Sequence, residues 1–218
     1  DGSTLLPGTG KALSAALKLG GPVDLLVAGA GIGAIAGAAA QLTGVRRVLV
    51  ADAPELARQL AEPVTRLLVA LAPGYDAFVA AAGTTGKNIL PRLAAKLDVM
   101  QVSEIIEVVS PDTFRRPIYA GNAVETVWTR EAKLVLTVRV SAFDPSPAAP
   151  TAAPVEAVAL LAFGPLPDFV ELIATGGTRP DLGSARVVVS GGRAMGSSEK
   201  FNEVLTPLAD KLGAAIGA

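Results

Sequence analysis

Val23-Asp24-Leu25-Leu26-Val27 is an apolar run of strand length, and the glycine-rich turn Gly29-Ala30-Gly31-Ile32-Gly33-Ala34 follows it. Ala34–Leu42 reads as an alanine-rich helix that Gly44 closes. The same order then repeats. Arg46–Val50 reads as a strand, and Pro54–Leu71 as a helix that Pro63 should kink or break. Ala77–Ala82 reads as a third strand, and Lys87–Leu97 as a helix with Leu90, Leu93 and Leu97 on one face. A short helix, Gly10–Leu19, precedes the first strand. Strands that alternate with helices predict a parallel sheet covered on both faces.

Beyond Leu97 the spacing changes. Ile105–Val109, Thr113–Tyr119, Ala123–Trp128 and Leu134–Val140 are strand candidates joined by connections too short for helices, which predicts an antiparallel excursion. Tyr119 and Trp128 alternate with apolar neighbours and are expected in the core, while Gly121-Asn122 reads as a turn chosen for positive φ. Asp144–Pro154 carries Pro145, Pro147, Pro150 and Pro154, so it reads as a surface crossing or a domain boundary. Val155–Ile173 fits no single element, and its Pro165 and Pro167 argue against one long helix. Ala185–Val189 then reads as a buried strand and Ser190-Gly191-Gly192-Arg193 as a strand-to-helix turn. Ser197 is the expected N-cap of a helix whose apolar face is Phe201, Val204, Leu205, Leu208 and Leu212, with a kink at Pro207. The expected architecture is α/β, a three-layer sandwich with a mostly parallel sheet over 1–143. A proline-rich crossing over 144–184 follows, and then the first βα unit of a second, Rossmann-like domain over 185–218. One βα unit leaves a core unfinished, so the chain is expected to be part of a longer one.

Composition narrows the chemistry. The 218 residues contain no histidine and no cysteine. That excludes Ser-His-Asp and Cys-His catalysis and imidazole or thiolate metal sites. A bound cofactor that carries the reaction suits such a chain. The net charge of −1 comes with no basic stripe interleaved with aromatics, so nucleic acid is not an expected ligand. Half of the residues are hydrophobic, yet Asp24–Ala40 and Val155–Phe163 are interrupted well short of the ~20 apolar residues of a membrane helix. Neither a signal segment at Asp1-Gly2-Ser3-Thr4 nor direct membrane insertion is expected, and the missing cysteines fit a reducing cytoplasm.

Two turns compete for a phosphate. Gly29, Gly31 and Ala34 fit the G-x-G-x-x-G/A spacing, and Asp52 ends the next strand where a ribose-binding acid belongs, roughly 20 residues on. This reading makes the chain an NAD-dependent Rossmann oxidoreductase. The opposing reading is a chance match, because a helix precedes the strand and the run continues as Ala36-Gly37-Ala38-Ala39-Ala40. Asp52 is then a polar strand end. At the second turn, Gly191 and Gly192 can present backbone N–H groups to phosphate oxygens and Arg193 adds a fixed charge. A tight turn with a solvated arginine is the alternative.

Several stretches in order resemble the alpha subunit of electron transfer flavoprotein. They are Gly86-Lys87-Asn88-Ile89-Leu90-Pro91-Arg92 with its helix to Leu97, Ser110-Pro111-Asp112-Thr113-Phe114, Ile118-Tyr119-Ala120-Gly121-Asn122-Ala123, Thr178-Arg179-Pro180-Asp181-Leu182, and Val187-Val188-Val189-Ser190-Gly191-Gly192-Arg193. The resemblance runs over nearly the whole chain. It implies an electron carrier rather than an enzyme, paired as a heterodimer with a beta subunit that holds AMP in many members. It implies FAD in a C-terminal domain, with Arg193, Gly192 and Gly191 at one edge of the flavin site. Acyl-CoA and related dehydrogenases are the implied donors and a quinone oxidoreductase the acceptor. The implied compartment is the bacterial cytoplasm, or the mitochondrial matrix in a eukaryote. It also implies that the Gly29–Ala34 turn is not a cofactor site, which leaves the NAD reading as runner-up beside a purely structural docking role. Lys87, Asn88 and Arg92 read either as contacts to the beta subunit or the flavin domain, or as a capped surface helix.

The chain departs from the family's pattern in three ways. Pro207 falls in a helix that usually lacks proline. The family chain continues with a Ser-Arg pair, a Gln-Thr-Gly turn and a Gln-His pair that contribute to the flavin site. An apolar strand usually precedes the segment matching Asp1 and lies centrally in the sheet. Without it, both neighbouring strands are expected to expose backbone.

Overall fold

The computed structural model describes residues 4–160, 162–171, 173, 179–183 and 185–217. Asp1-Gly2-Ser3, Thr178, Ala218 and parts of the 144–184 and Val155–Ile173 readings lie outside the described residues. The chain divides into two compact units, Asp1–Phe169 and Val170–Ala218.

The first unit opens with α1 (Pro7–Leu17), β1 (Val23–Gly29), α2 (Gly33–Ala40), β2 (Val45–Asp52), α3 (Ala61–Leu71), β3 (Ala77–Ala81) and α4 (Thr84–Leu97). It continues through β4 (Gln101–Ile105), β5 (Glu107–Ser110), β6 (Thr113–Ile118), β7 (Ala123–Trp128), β8 (Leu134–Val138) and β9 (Val155–Ala157). Two parallel sheets result, ordered β1-β2-β9 and β3-β8-β4, with an antiparallel sheet β5-β6-β7.

Alternation along the strands sets the layers. On β1, Leu26 and Ala28 pack into the cluster of α3 and α4, while Leu25 and Val27 turn to α2. On β8, Val135 joins the α3–α4 side, and Leu136 and Val138 pack against Ala12 and Ala15 of α1. Helices therefore cover both faces. That is why these strands read as nearly unbroken apolar runs. Leu93 on α4 is fully buried at the centre of the first cluster, and burial of such a side chain is worth roughly 1.5–3 kcal/mol.

In this unit the structure departs from three sequence expectations. The break in Pro54–Leu71 precedes Pro63 rather than falling on it. A 3-10 turn covers Pro54–Leu56, Gln59 has φ +49°, and α3 begins at Ala61. Pro63 is then in the first helical turn, where its missing N–H has no intrahelical acceptor to lose. Leu134–Val138 is not antiparallel. It lies between β3 and β4 and pairs parallel with both, while the unrecognised strand Gln101–Ile105 forms the far side. Trp128 and Tyr119 are not core: they are 55% and 80% exposed. The Trp128 indole N–H donates to Asp112 at 3.0 Å and Arg130 stacks 4.3 Å from its ring centre. Tyr119 opens a turn in which Tyr119, Ala120 and Gly121 all have positive φ, and the Asn122 side chain donates to the Tyr119 carbonyl at 3.0 Å.

Asp144–Pro154 is a surface crossing stitched to the first unit. Ser146 N–H donates to Gly10, Thr43 N–H to Pro147, Ala149 N–H to Gln41 and Ala153 N–H to Ala40. The crossing thereby satisfies the C-terminal carbonyls of α2 and delivers β9 to β2.

Among the described residues no strand pairs with the second edge of β1 or of β3. An apolar cleft of about 860 Å³ lies between them, lined by both strands and by Leu5, Ala12, Leu13 and Ala16. Each of the two strands keeps one edge unpaired within the described residues and turns it to the cleft. The two edges are tied below the cleft by the Tyr75 hydroxyl, which precedes β3 and donates to Asp24 on β1 at 2.5 Å.

Candidate functional site

The second unit contains β10 (Val188–Ser190), α5 (Ser198–Leu212) and β11 (Ala215–Gly217), with β10 and β11 paired in parallel. This corrects the expected βα unit to βαβ. The returning strand is three residues long, too short to carry a pattern. Ala185–Val189 is not a buried strand: Val187 is 40% and Val188 48% exposed. Leu205 and Ala209 are the buried residues of α5, whereas Val204, Leu208 and Leu212 of its apolar face stay about half exposed. Ser197 caps α5 as expected, its Oγ accepting from Lys200 N–H at 3.2 Å. The helix runs through Pro207 as one element, and Gly213 closes it in a left-handed conformation.

Ser190–Arg193 joins β10 to the N-terminus of α5. Gly191 N–H donates to the Gly217 carbonyl at 3.3 Å, and a Cβ at Gly191 would meet Leu205, Met195 and Phe201 at 3.0, 3.0 and 3.2 Å. Gly191 is thus small because the turn packs down on α5. Gly192 has open space where a Cβ would stand. Arg193 opens a 3-10 turn to Met195, is exposed, and has no ion-pair partner among the described residues. Gly192 has open space beside its backbone, Arg193 carries a charge with no ion-pair partner among the described residues, and a 3-10 turn leads from them to the capped start of α5. Together these groups can accept a phosphate oxyanion.

The first glycine turn is built the opposite way. Its residues do come together, but on one another. Asp52 accepts from Gly31 N–H at 2.8 Å and from Ile32 N–H at 3.2 Å. Ile32 is 2% exposed and its Cγ2 would lie 2.6 Å from a Cβ on Gly29. The N–H groups that a pyrophosphate would need are held by the carboxylate that should have bound a ribose. This geometry disfavours the NAD reading. Asp52→Ala is expected to destabilise the first unit by about 1–2 kcal/mol, the cost of two unpaired loop donors. Urea denaturation measures that loss, and flavin content should not change.

Lys87 and Arg92 are paired within the unit, with Glu104 and with Glu62. Asn88 is exposed on α4. The hydrogen bond from Lys87, joined by Arg139, holds Glu104 below the usual carboxylate range. Sequence reading missed Glu104, whose φ of +53° sits in a register irregularity between Val102 and Ile105. It also missed Asp24, bound by Arg46, Arg47 and Tyr75. Neither has a local motif to announce it. Among the described residues no three His, Cys, Asp or Glu side chains gather as a metal site, and no helix is long and apolar enough to cross a membrane.

Residues 1–162 match the family model of the electron transfer flavoprotein domain, and residues 181–218 that of the electron transfer flavoprotein FAD-binding domain. The chain is 54% identical over its whole length to the electron transfer flavoprotein subunit alpha of Bradyrhizobium diazoefficiens, covering 69% of that protein. It is 48% identical over its whole length to the same subunit of Pseudomonas aeruginosa, covering 70% of it. A probable mitochondrial electron transfer flavoprotein subunit alpha of Caenorhabditis elegans is 39% identical, with 100% of this chain and 66% of that one aligned. The two family models, one over most of the largely parallel α/β unit and one over the βαβ unit, define the class as a flavoprotein subunit. The chain belongs to the electron transfer flavoprotein alpha-subunit family.

Proposed function

We propose that the chain is the alpha subunit of an electron-carrying heterodimer and holds one edge of FAD at Gly191, Gly192 and Arg193. The observation that carries this reading is the open turn at the head of α5, where Arg193 has no ion-pair partner among the described residues. FAD, when bound, supplies the electron chemistry. The chain's own residues bind and orient: Arg193 supplies donors and charge to a phosphate, Gly192 lets the backbone approach, and Ser197 fixes the start of α5. On this reading 1–143 is the α/β domain without a redox group, 144–184 the crossing, and 185–218 the start of the FAD domain. The partner is a beta subunit that holds AMP. Electrons arrive from acyl-CoA and related dehydrogenases and leave to a quinone oxidoreductase, in the bacterial cytoplasm or the mitochondrial matrix. No residue here acts as a catalytic acid, base or nucleophile.

The test is flavin affinity in the copurified heterodimer. Arg193→Ala should raise the Kd for FAD by about tenfold or more, the loss of one charge-assisted contact. Arg193→Lys should recover part of it. Equal FAD affinity in all three proteins would remove Arg193 from the site.

A further inference from the structure

Arg179-Pro180-Asp181-Leu182 lies ahead of β10 and has no place in the flavin turn itself. Its path is fixed by local chemistry. Pro180 holds φ at about −65° and disfavours the helical region for Arg179. The Asp181 carboxylate accepts from Gly183 N–H at 2.8 Å, and the Asp181 carbonyl accepts from Ala185 N–H at 2.9 Å. An Asx turn of this kind sets the chain direction with its own bonds.

Two side chains leave this rigid segment for the elements that carry the turn. Arg179 Nη2 lies 2.6 Å from Asp210 Oδ1 in the last turn of α5. A carboxylate at a helix C-terminus is unfavourable by itself, and the guanidinium offsets it. Leu182 lies over β11, where a Cβ on Gly217 would stand 3.3 Å from its Cδ2 and 4.0 Å from its Cδ1. The Gly217 carbonyl accepts from Gly191 N–H at 3.3 Å, which carries the β10–β11 ladder into the turn. Leu205, Met195 and Phe201 also converge on Gly191. Leu182, Gly217 and Gly191 therefore form one line of contact that ends beside Gly192 and Arg193. Each strand of the ladder is only three residues long, so support from outside it counts.

We infer that Arg179–Leu182 is a clamp that positions the Ser190–Arg193 turn from behind, Arg179 through α5 and Leu182 through Gly217. The inference rests on the flavin reading of that turn. Arg179 and Leu182 are positioning residues, acting through other groups rather than on the flavin. The ion pair is open to water, its side chains 31% and 61% exposed, so it orients α5 more than it stabilises it. The Leu182 contact carries the larger share, because Gly217 is bonded to Gly191 directly.

The copurified heterodimer is the test system, with the Kd for FAD and the phosphorus NMR resonances of the bound FAD pyrophosphate as readouts. Leu182→Ala should raise the Kd by about three- to tenfold, the worth of a half-buried leucine contact, and should move the resonances. Gly217→Ala should act in the same direction by pushing Leu182 away. In the Leu182→Ala background it should add little, because the neighbour it crowds has gone. Arg179→Gln should raise the Kd by no more than about fivefold, and Arg179→Lys should restore it. A lowered urea midpoint with unchanged Kd and unchanged resonances would make the segment a plain structural support and overturn the inference. Fully additive losses at Leu182 and Gly217 would overturn it as well. Arg193→Ala separates this failure from that of the flavin reading. If Arg193→Ala weakens FAD and Leu182→Ala does not, the clamp alone falls. If neither weakens FAD, the flavin reading of the turn falls with it.

Discussion

Gly86→Ala should destabilise the first unit by about 3 kcal/mol or more, the upper range for forcing an atom into a packed interior. Gly86 is the third residue of α4, and a Cβ there would lie 2.1 Å from the Ala81 carbonyl oxygen and 3.5 Å from Ala80 Cβ. The obstacle is backbone at the end of β3, so no side-chain rotation relieves it. β3 cannot withdraw either. Ala81 pairs with Val138, and Ala82 N–H donates to the Val138 carbonyl at 2.8 Å. Either the first turn of α4 lifts off the sheet or β3 loses its last residues. Gly83→Ala, three residues earlier, is the control. Its Cβ would meet nothing within 4 Å and its φ is −82°, so its effect should stay within about 0.5 kcal/mol. Urea denaturation of the two variants measures the contrast, and similar midpoints would show that α4 does not sit as closely on β3 as described.

Asp24→Ala is expected to cost about 1–3 kcal/mol, because it takes the shared acceptor from Arg46, Arg47 and the Tyr75 hydroxyl while the two arginines stay accessible to water. The Asp24 side chain is 1% exposed and accepts from Arg46, Arg47 and Tyr75 at 2.5 to 2.9 Å. Arg47 continues to Glu156 of β9, so the cluster links β1, β2, β9 and the segment leading into β3. Burial alone would raise the pKa of Asp24. The hydrogen bonds from Arg46, Tyr75 and Arg47 outweigh it and hold the carboxyl well below the usual carboxylate range. A depressed folded pKa gives a definite pH dependence. The contribution of Asp24 is complete above the unfolded value of about 3.9 and declines as pH falls below it toward the folded value. The wild-type chain should therefore lose stability between about pH 4 and pH 2, and Asp24→Ala should show a shallower loss over the same window. Parallel acid profiles would count against the cluster as the acid-sensitive element.

The pattern of the chain was legible wherever one residue's surroundings repeat along it. Leu25, Leu26 and Val27 announce a strand buried on both sides because α2 and the α3–α4 pair cover its two faces. Ser197 announces the start of α5 because a cap needs only its own side chain and the N–H three residues on. What failed was information that the chain receives from a distance. Alternation placed Trp128 and Val127 on opposite faces of β7, but only Val127 meets the core, and nothing local says that the other face is uncovered. Leu134–Val138 has the same apolar character whether it pairs parallel or antiparallel, so its place between β3 and β4 could not be read from it. Asp52 shows the limit for the sites. An acid after the second strand satisfies the spacing for a ribose and equally the spacing for closing the glycine turn on itself, and only the 2.8 Å bond to Gly31 tells them apart. The Ser190–Arg193 turn was located correctly by sequence. Its two glycines turned out to differ, Gly191 being held by packing against α5 and Gly192 standing in open space.

The central claim is that this chain, with its partner subunit, carries electrons on FAD. The most direct measurement is the visible absorption spectrum of the copurified complex before and after addition of a reductant. The expected result is an oxidised flavin spectrum that bleaches on reduction, at one FAD per heterodimer, with the flavin lost more readily from Arg193→Ala. A colourless complex, or a protein that takes up NAD in place of flavin, would contradict it.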